Sequence, residues 1–452
     1  MDAARASFLV VGGIFGLFFA LATPPHDPPD EARHHARAWR ISVGRLSVVG
    51  RAPGHAASVP RAILRLHPLA HHYSDEQLRS GRLPPTTQRT RPHEWSALRA
   101  DLRGSLGRYD LQPVFHLGAY PPSVYAPYVP ALWLAGALDL SAAAGLLLAR
   151  LFGLAAWLAG IWACLRVAPT QRWLLCAVAL LPMSVFQAAS VSGDPVTQVA
   201  IFWWFAECLR AASRGAGALR AGGVARLLAA AFALGLVKPG YAPLALAALA
   251  VPLRPGPRLA LAAAAVAAAV LPTLWWAWIA LVAEVPPVVP GADVAGQLRH
   301  AFAHPLAFLS AAAGTTAALR SAWLEGLVGN LGHFDVEIPA AATALGLAAV
   351  VASASLERSG LRLTERLVLL ATSLAGVLAV LAMAYLGWTP VGGDKIQGVQ
   401  GRYFLPLLPF ALAALPAAPR AARRGLRVAM VAALVAVLAI SAAAMVQTFY
   451  AL

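Results

Sequence analysis

The sequence predicts an all-α polytopic membrane protein, and three observations carry that prediction. Of its 452 residues 59% are hydrophobic and only 12% are charged, with a mean hydropathy of +0.65, whereas soluble domains carry roughly 25% charged residues. The apolar residues recur in runs about as long as a bilayer is thick. Arginines gather in short tracts between those runs, as retention of positive charge in the cytoplasm demands. The formal charge of +16 is therefore a record of topology, and no nucleic-acid partner is expected. Cys164, Cys176 and Cys208 all fall inside apolar runs, without the spacing of a disulfide framework or a zinc site.

The elements follow in order. Residues 1–23 hold the first transmembrane helix: FLVVGGIFGLFFALA at 8–22 follows Arg5, and because many more spans come later it reads as an uncleaved helix. Residues 24–140 form a long periplasmic loop carrying short interfacial helices; its many arginines do not conflict with that side, because long loops escape the positive-inside rule. Within it, residues 31–45 read as a short helix ending at Gly44, residues 93–103 as another, and residues 50–92 as irregular. The stretch from residue 117 to 140 is apolar only from about Val129, and its prolines and tyrosines suit an interface. Residues 141–283 carry helices two to seven, with Arg166 and Arg172, then Arg210, Arg214 and Arg220, then Arg254 and Arg258 inside. Helices five and six, about 225–237 and 241–253, are short and fold at Lys238-Pro239-Gly240. Residues 284–338 form a second periplasmic segment. Residues 339–452 carry helices eight to eleven, with Arg358, Arg362, Arg420, Arg423, Arg424 and Arg427 inside. About eleven transmembrane helices result, and every arginine cluster in a short loop falls on one side.

This topology places Asp30, Glu31, Asp194, Lys238, Asp335, Glu337, Asp394, Lys395 and Arg402 at the outer face. Asp30 and Glu31 head the stretch PPDEARHHARAWRISVGRL, residues 28–46. A carboxylate beside the bilayer acts as a general base, binds a divalent cation or pairs with an arginine; two prolines followed by Asp-Glu equally describe a helix start. Asp194, in Ser190-Val-Ser-Gly-Asp194-Pro, reads as an N-cap and as a site residue. Lys238 suits a phosphate or the closing of a helix. Arg402, entering an apolar helix from outside, requires an anion, either a protein carboxylate or a lipid phosphate, and Arg150 has the same two readings. The stretch GLVGNLGHFDVEIP, residues 326–339, reads as a turn before helix eight. His34 and His35 read as solvated.

Four stretches carry a resemblance: PPDEARHHARAWRISVGRL, LLPMSVFQAASVSGD, GLVGNLGHFDVEIP and VQGRYFLPLLP. The chain resembles bacterial integral membrane proteins catalogued as domain of unknown function 2142, with His333-Phe334 departing from the pattern. That family looks like a branch of the GT-C glycosyltransferases, whose many-helix fold carries an acidic motif in the first external loop and takes a polyprenyl-phosphate-linked sugar as donor. The resemblance implies a GT-C-like enzyme of the bacterial cytoplasmic (inner) membrane, with its active face periplasmic. Asp30 would be the catalytic base and Glu31 its support or a second acid, while Asp194, Lys238, Arg402, Arg150 and Lys395 would bind substrate and phosphate. The partners would be the lipid-linked sugar, an envelope glycan or lipid acceptor, and membrane lipid. A divalent cation such as Mg or Mn, on Asp30 and Asp194, is an alternative to the protein cations. Two other classes compete. A lipid-linked glycan transporter or flippase predicts ionisable groups in mid-helix and an internal repeat, and neither is found. A non-catalytic envelope assembly protein on the same fold is the other.

Overall fold

A computed structural model describes residues 2–47, 57–66, 111–114, 120–213, 219–285, 287 and 289–450, and is mostly helical. The helix expected at residues 93–103 lies outside the described residues. In the stretch expected to be irregular, Ala57–Pro60 (β1) pairs antiparallel with Leu111–Val114 (β2), and Arg61–Leu64 forms one helical turn.

The longer helices are α1 (Ala3–Ala22), α2 (Glu31–Ser42), α3 (Val129–Ala137), α4 (Ala142–Val167), α5 (Arg172–Ala179), α6 (Pro182–Ala188), α7 (Asp194–Ser213), α8 (Ala221–Gly235) and α9 (Pro255–Val282). They continue with α10 (Val294–Ala303), α11 (Ala307–Val328), α12 (Ala340–Ala354), α13 (Leu363–Trp388), the short α14 (Leu408–Leu412) and α15 (Arg423–Phe449). Among the described residues, five helices (α1, α4, α9, α13 and α15) are long and apolar enough to cross a membrane. The number is six if α10 and α11, bent by 106° at their junction, count as one broken span.

Several segments expected as transmembrane helices are broken or tightened, helix six having been expected short, and proline, which lacks an N–H and clashes with the preceding turn, explains the breaks. Expected helix three divides into α5 and α6 ahead of Pro182. Expected helix six is the 3-10 segment Ala242–Ala250, which opens on Pro243, and expected helix ten is the 3-10 segment Gly401–Leu407, containing Pro406, followed by α14. Irregular backbone inside an apolar body requires partners for its polar groups. Side chains supply them: Trp204 Nε1 donates to the Leu244 carbonyl (2.7 Å), Ser373 Oγ to Leu407 (3.1 Å), Tyr241 OH to Tyr403 (2.9 Å) and Trp323 Nε1 to Val399 (3.2 Å). The second external segment also departs from expectation, since it contains α10 and the 22-residue α11. Helix α11 packs along the 396–404 stretch, where Thr315 accepts from Ile396 N at 2.8 Å.

Helices α1, α4, α6 and α7 surround the core. Phe8 meets Trp157 edge-on at 5.2 Å, and Phe19 meets Phe186 at 5.9 Å. A polar chain crosses this core: Trp157 Nε1 donates to Gln198 Oε1, and Gln198 Nε2 donates to Ser184, tying three helices together as polar side chains do in membrane bundles.

Helix ends collect at two poles. At one, Arg172 pairs with Asp2 at 2.8 Å, Trp173 N donates to Glu357, and Ala418 N donates to the Ser355 carbonyl. At the other, Tyr450 OH donates to Ala22, and Ser123 Oγ to the Leu236 carbonyl. Gly401 opens the 3-10 segment that enters the second pole, and it lies against the backbone of α11: a Cβ there would collide with the Trp323 carbonyl and come within 2.7 Å of Leu327 N. Neither atom can rotate away. Gly401→Ala is expected to destabilise the fold by about 1–3 kcal/mol, as overpacking does, read as a lowered Tm of the detergent-solubilised protein.

Candidate functional site

Four separate stretches deliver charge to the second pole. Asp30 sits at the N-terminus of α2 in a left-handed conformation (φ 64°), and its side chain makes no capping hydrogen bond. Its backbone carbonyl accepts from His34 N at 3.0 Å and so starts the helix, while the carboxylate turns aside. Positive φ is uncommon outside glycine and, where it persists, marks a conformation fixed by the surroundings.

The Asp30 carboxylate is 37% exposed and faces Arg33 at 3.8 Å and Arg402 at 3.6 Å. Arg402, only 3% exposed, stands between two acids, with Nε 3.4 Å from Asp194. Asp194 begins α7 and takes Lys238 Nζ at 2.6 Å, just past the end of α8. The Lys238 ammonium also lies over the rings of Tyr120 (4.9 Å) and Tyr403 (5.4 Å). Three cations thus meet two carboxylates, and the buried Nη1 of Arg402 has no hydrogen-bond partner among the described residues. Burial alone would raise the Asp30 carboxyl, but the Arg402 and Arg33 guanidiniums outweigh it and hold it below the ordinary carboxylate range. At neutral pH Asp30 is an ionised base.

Of the residues singled out in the sequence, Asp30, Asp194, Lys238 and Arg402 meet here. Glu31 and Arg150 lie beside them in a different role. Arg150 Nε and Nη2 grip the fully buried Glu31 carboxylate at 2.8 and 2.5 Å, and its remaining N–H groups donate to the carbonyls of Ala20, Thr23 and Pro24. That leaves Arg150 no donor for a phosphate, which corrects its expected place among the phosphate binders. Glu31 accepts in addition from His26 N and Val191 N, so one side chain fastens the first loop to α4 and to the loop before Asp194. Lys395 is exposed in the 389–400 stretch and makes no ion pair among the described residues, which places it outside the cluster.

Sequence reasoning missed Arg33, Tyr120 and Tyr403. It also read His34 and His35 as solvated, whereas both are buried. His34 Nδ1 bonds Tyr125 OH at 2.8 Å and the ring stacks on Tyr120; His35 Nδ1 meets His26 Nε2 at 3.0 Å. Burial lowers His34 to about 4, with Lys238 adding to the effect, and lowers His35 to about 3, with Arg150 adding. An unfolded histidine titrates near 6.5, so this neutral burial stabilises the fold fully above pH 6.5 and is lost as pH falls toward the folded values. His35 alone accounts for about 2 kcal/mol lost by pH 5. The Tm of the purified protein is expected to fall steeply between pH 6.5 and 4.5, and less steeply in His35→Gln.

The 326–339 stretch forms the expected turn, closed by a bridge between Leu331 and Val336, with His333 and Glu337 exposed. It also approaches the site: a Cβ on Gly332 (φ 62°) would meet the Asp335 carboxylate and lie 3.1 Å from Asp27 Oδ2. Burial, Asp335 and Glu31 together push the Asp27 carboxyl well above the usual range.

Among the described residues no three His, Cys, Asp or Glu side chains converge on a metal position. The charges of Asp30 and Asp194 are met by Arg402, Lys238 and Arg33, so the cluster as built does not fit a divalent cation. Next to it is an apolar cavity of about 340 Å³, lined by Pro121, Leu236, Pro272, Trp275, Trp276 and Ile279 among others. Its wall residues Pro121 and Leu236 are near neighbours in sequence of Tyr120 and Lys238.

Apolar helices around a charged, partly open cluster at one pole define a polytopic membrane protein with a polar site at its edge. Residues 14–411, nearly the whole chain, match the family DUF2142, described as "Predicted membrane protein", and the chain belongs to that family. Searches of the curated proteins and of the solved structures give no match.

Proposed function

We propose that the protein is a membrane-embedded glycosyltransferase that moves a sugar, with inversion, from a polyprenyl-phosphate donor to an acceptor of the cell envelope. The reaction takes place at the periplasmic face of the bacterial inner membrane, and the short and broken apolar segments complete the eleven crossings of a GT-C-like architecture. One observation carries the reading: Asp30 is an ionised, partly exposed carboxylate beside two buried cations, one of which has an N–H group without a hydrogen-bond partner among the described residues.

The acceptor hydroxyl gives its proton to Asp30 as its oxygen attacks the anomeric carbon. The bond from that carbon to the phosphate oxygen breaks, and its electron pair leaves with the polyprenyl phosphate. Lys238 and Arg402 meet the charge that develops there. Asp194 positions both cations, while Glu31 and Arg150 position the loop that presents Asp30. The apolar cavity beside Leu236 supports a lipid-linked donor: an apolar cavity of about 150 Å³ holds one benzene, so this one accommodates roughly two isoprene-sized pieces.

Mass spectrometry of envelope glycans and polyprenyl-phosphate sugars, in cells with and without the protein, tests the proposal. Loss of one glycan sugar with accumulation of its lipid-linked form is expected, and identifies the substrate. Unchanged glycans and unchanged lipid-linked sugars would contradict it.

A further inference from the structure

The other end of α2 carries a second cluster of charge that the proposed reaction does not use. Arg37 and Arg40 are three residues apart and therefore share a face of the helix; both are buried, Arg40 to 2% exposure. Arg37 donates to the carbonyls of Leu46 and Ser47 and so holds the turn that follows the helix. Arg40 has no such employment: its Nε and Nη1 are buried without a hydrogen-bond partner among the described residues. The charges that act on it are those of Arg37 and Arg45, both positive, and burial with these two lowers it to about 10, so it stays charged at neutral pH. Arg45 is exposed at the lip of the turn directly above, where Arg45 N bonds the Arg40 carbonyl at 2.9 Å.

An unpaired guanidinium taken out of water is costly, and a protein that keeps one normally supplies an anion. A snorkelling interfacial arginine, which holds its head group in water, does not fit a side chain this buried. We infer that Arg40, with Arg37 behind it and Arg45 at its entrance, binds an oxyanion, a phosphate or a carboxylate, carried by the acceptor. The acceptor is then an anionic envelope glycan. Its charged group is held ten residues from Asp30, about 15 Å along the helix axis. The identity of the ligand as acceptor rests on the glycosyltransferase reading; the anion site does not.

The test uses the full-length protein in neutral detergent, with sodium phosphate and sodium glucuronate as separate probes and sodium chloride at matched ionic strength as control. One probe is expected to raise the Tm of the wild type by about 2 °C or more, and which one does so distinguishes a phosphate from a carboxylate. The rise is expected to vanish in Arg40→Met, to weaken in Arg40→Lys, which keeps the charge without the fork, and to persist in Asp30→Asn. Without added anion, Arg40→Met is expected to be at least as stable as the wild type, because it removes an uncompensated buried charge. No rise with either soluble probe or with phosphatidylglycerol, or an equal rise in Arg40→Met and wild type, overturns the site. If Arg40→Met does not fold, an undiminished rise in Arg40→Lys overturns it. An Arg40-dependent rise with phosphatidylglycerol but with neither soluble anion assigns the site to a membrane lipid and overturns the acceptor. Loss of transferase activity in Asp30→Asn with the anion response intact separates the two proposals.

Discussion

Asp30→Asn, at matched membrane abundance, is expected to behave as a deletion of the protein: the glycan product is lost and its lipid-linked donor accumulates. The substitution keeps the shape of the side chain and removes the ability to take a proton, and loss of a general base lowers rates by about 10²–10⁴-fold. Asp30 makes no capping hydrogen bond, and its ion pairs at 3.6–3.8 Å are long and partly exposed, of the kind that contributes about 0–1 kcal/mol. Stability is therefore expected to change little, and the comparison isolates chemistry from folding. Quantitative glycan analysis beside an immunoblot of the membrane fraction measures both.

The second large effect concerns folding. Glu31→Gln or Arg150→Met breaks a buried, bidentate pair and leaves one charge without its partner, at a cost of about 3–5 kcal/mol. Most of a domain's net stability is of that order, so both single variants are expected to accumulate poorly in the membrane. The double variant Glu31→Gln with Arg150→Met leaves no uncompensated charge and is expected to recover part of the loss, so that the two effects are not additive. It still leaves the carbonyls of Ala20, Thr23 and Pro24 without the donors Arg150 gives them, so recovery is incomplete. Thermal melts of the three variants in detergent read this directly. Equal and additive losses would mean that the pair does not act as a unit.

Much of the site was legible because charge is rare in this chain and topology sorts it. Asp30, Asp194, Lys238 and Arg402 are far apart in sequence, yet alternating apolar runs and arginine tracts placed all of them on one face, and the structure brings them into one cluster. What sequence reasoning missed has a physical pattern. Tyr120 lies in a stretch whose tyrosines read as interfacial and Tyr403 carried no reading of its own; only the fold sets both rings against Lys238. His34 and His35 sit in a polar-looking helix, and burial under Tyr120 and against His26 leaves no local signal. Glu31 and Arg150 are separated by 119 positions, so nothing in the sequence announces their pairing, and the outer location of Arg150 was equally compatible with a lipid phosphate. Apolar length suggested continuous helices where Pro182, Pro243 and Pro406 break or tighten the backbone; Trp204, Ser373 and Tyr241 satisfy carbonyls of the 3-10 segments by donating to them, a compensation made by residues remote in sequence. Helix α11 was hidden by its charges, Arg320 and Glu325, and by the exposed face they belong to.

The central claim is that the cluster around Asp30 transfers a sugar from a phosphate-linked lipid. The most direct measurement follows turnover of the polyprenyl-phosphate sugar identified by the deletion strain, using purified protein in liposomes supplied with envelope acceptor, for wild type and Asp30→Asn side by side. The account predicts that the wild type consumes the donor and releases polyprenyl phosphate, while Asp30→Asn binds the donor but turns it over at least about 100-fold more slowly. Equal turnover by the two proteins would contradict it and would leave transport or envelope assembly as the work of this fold.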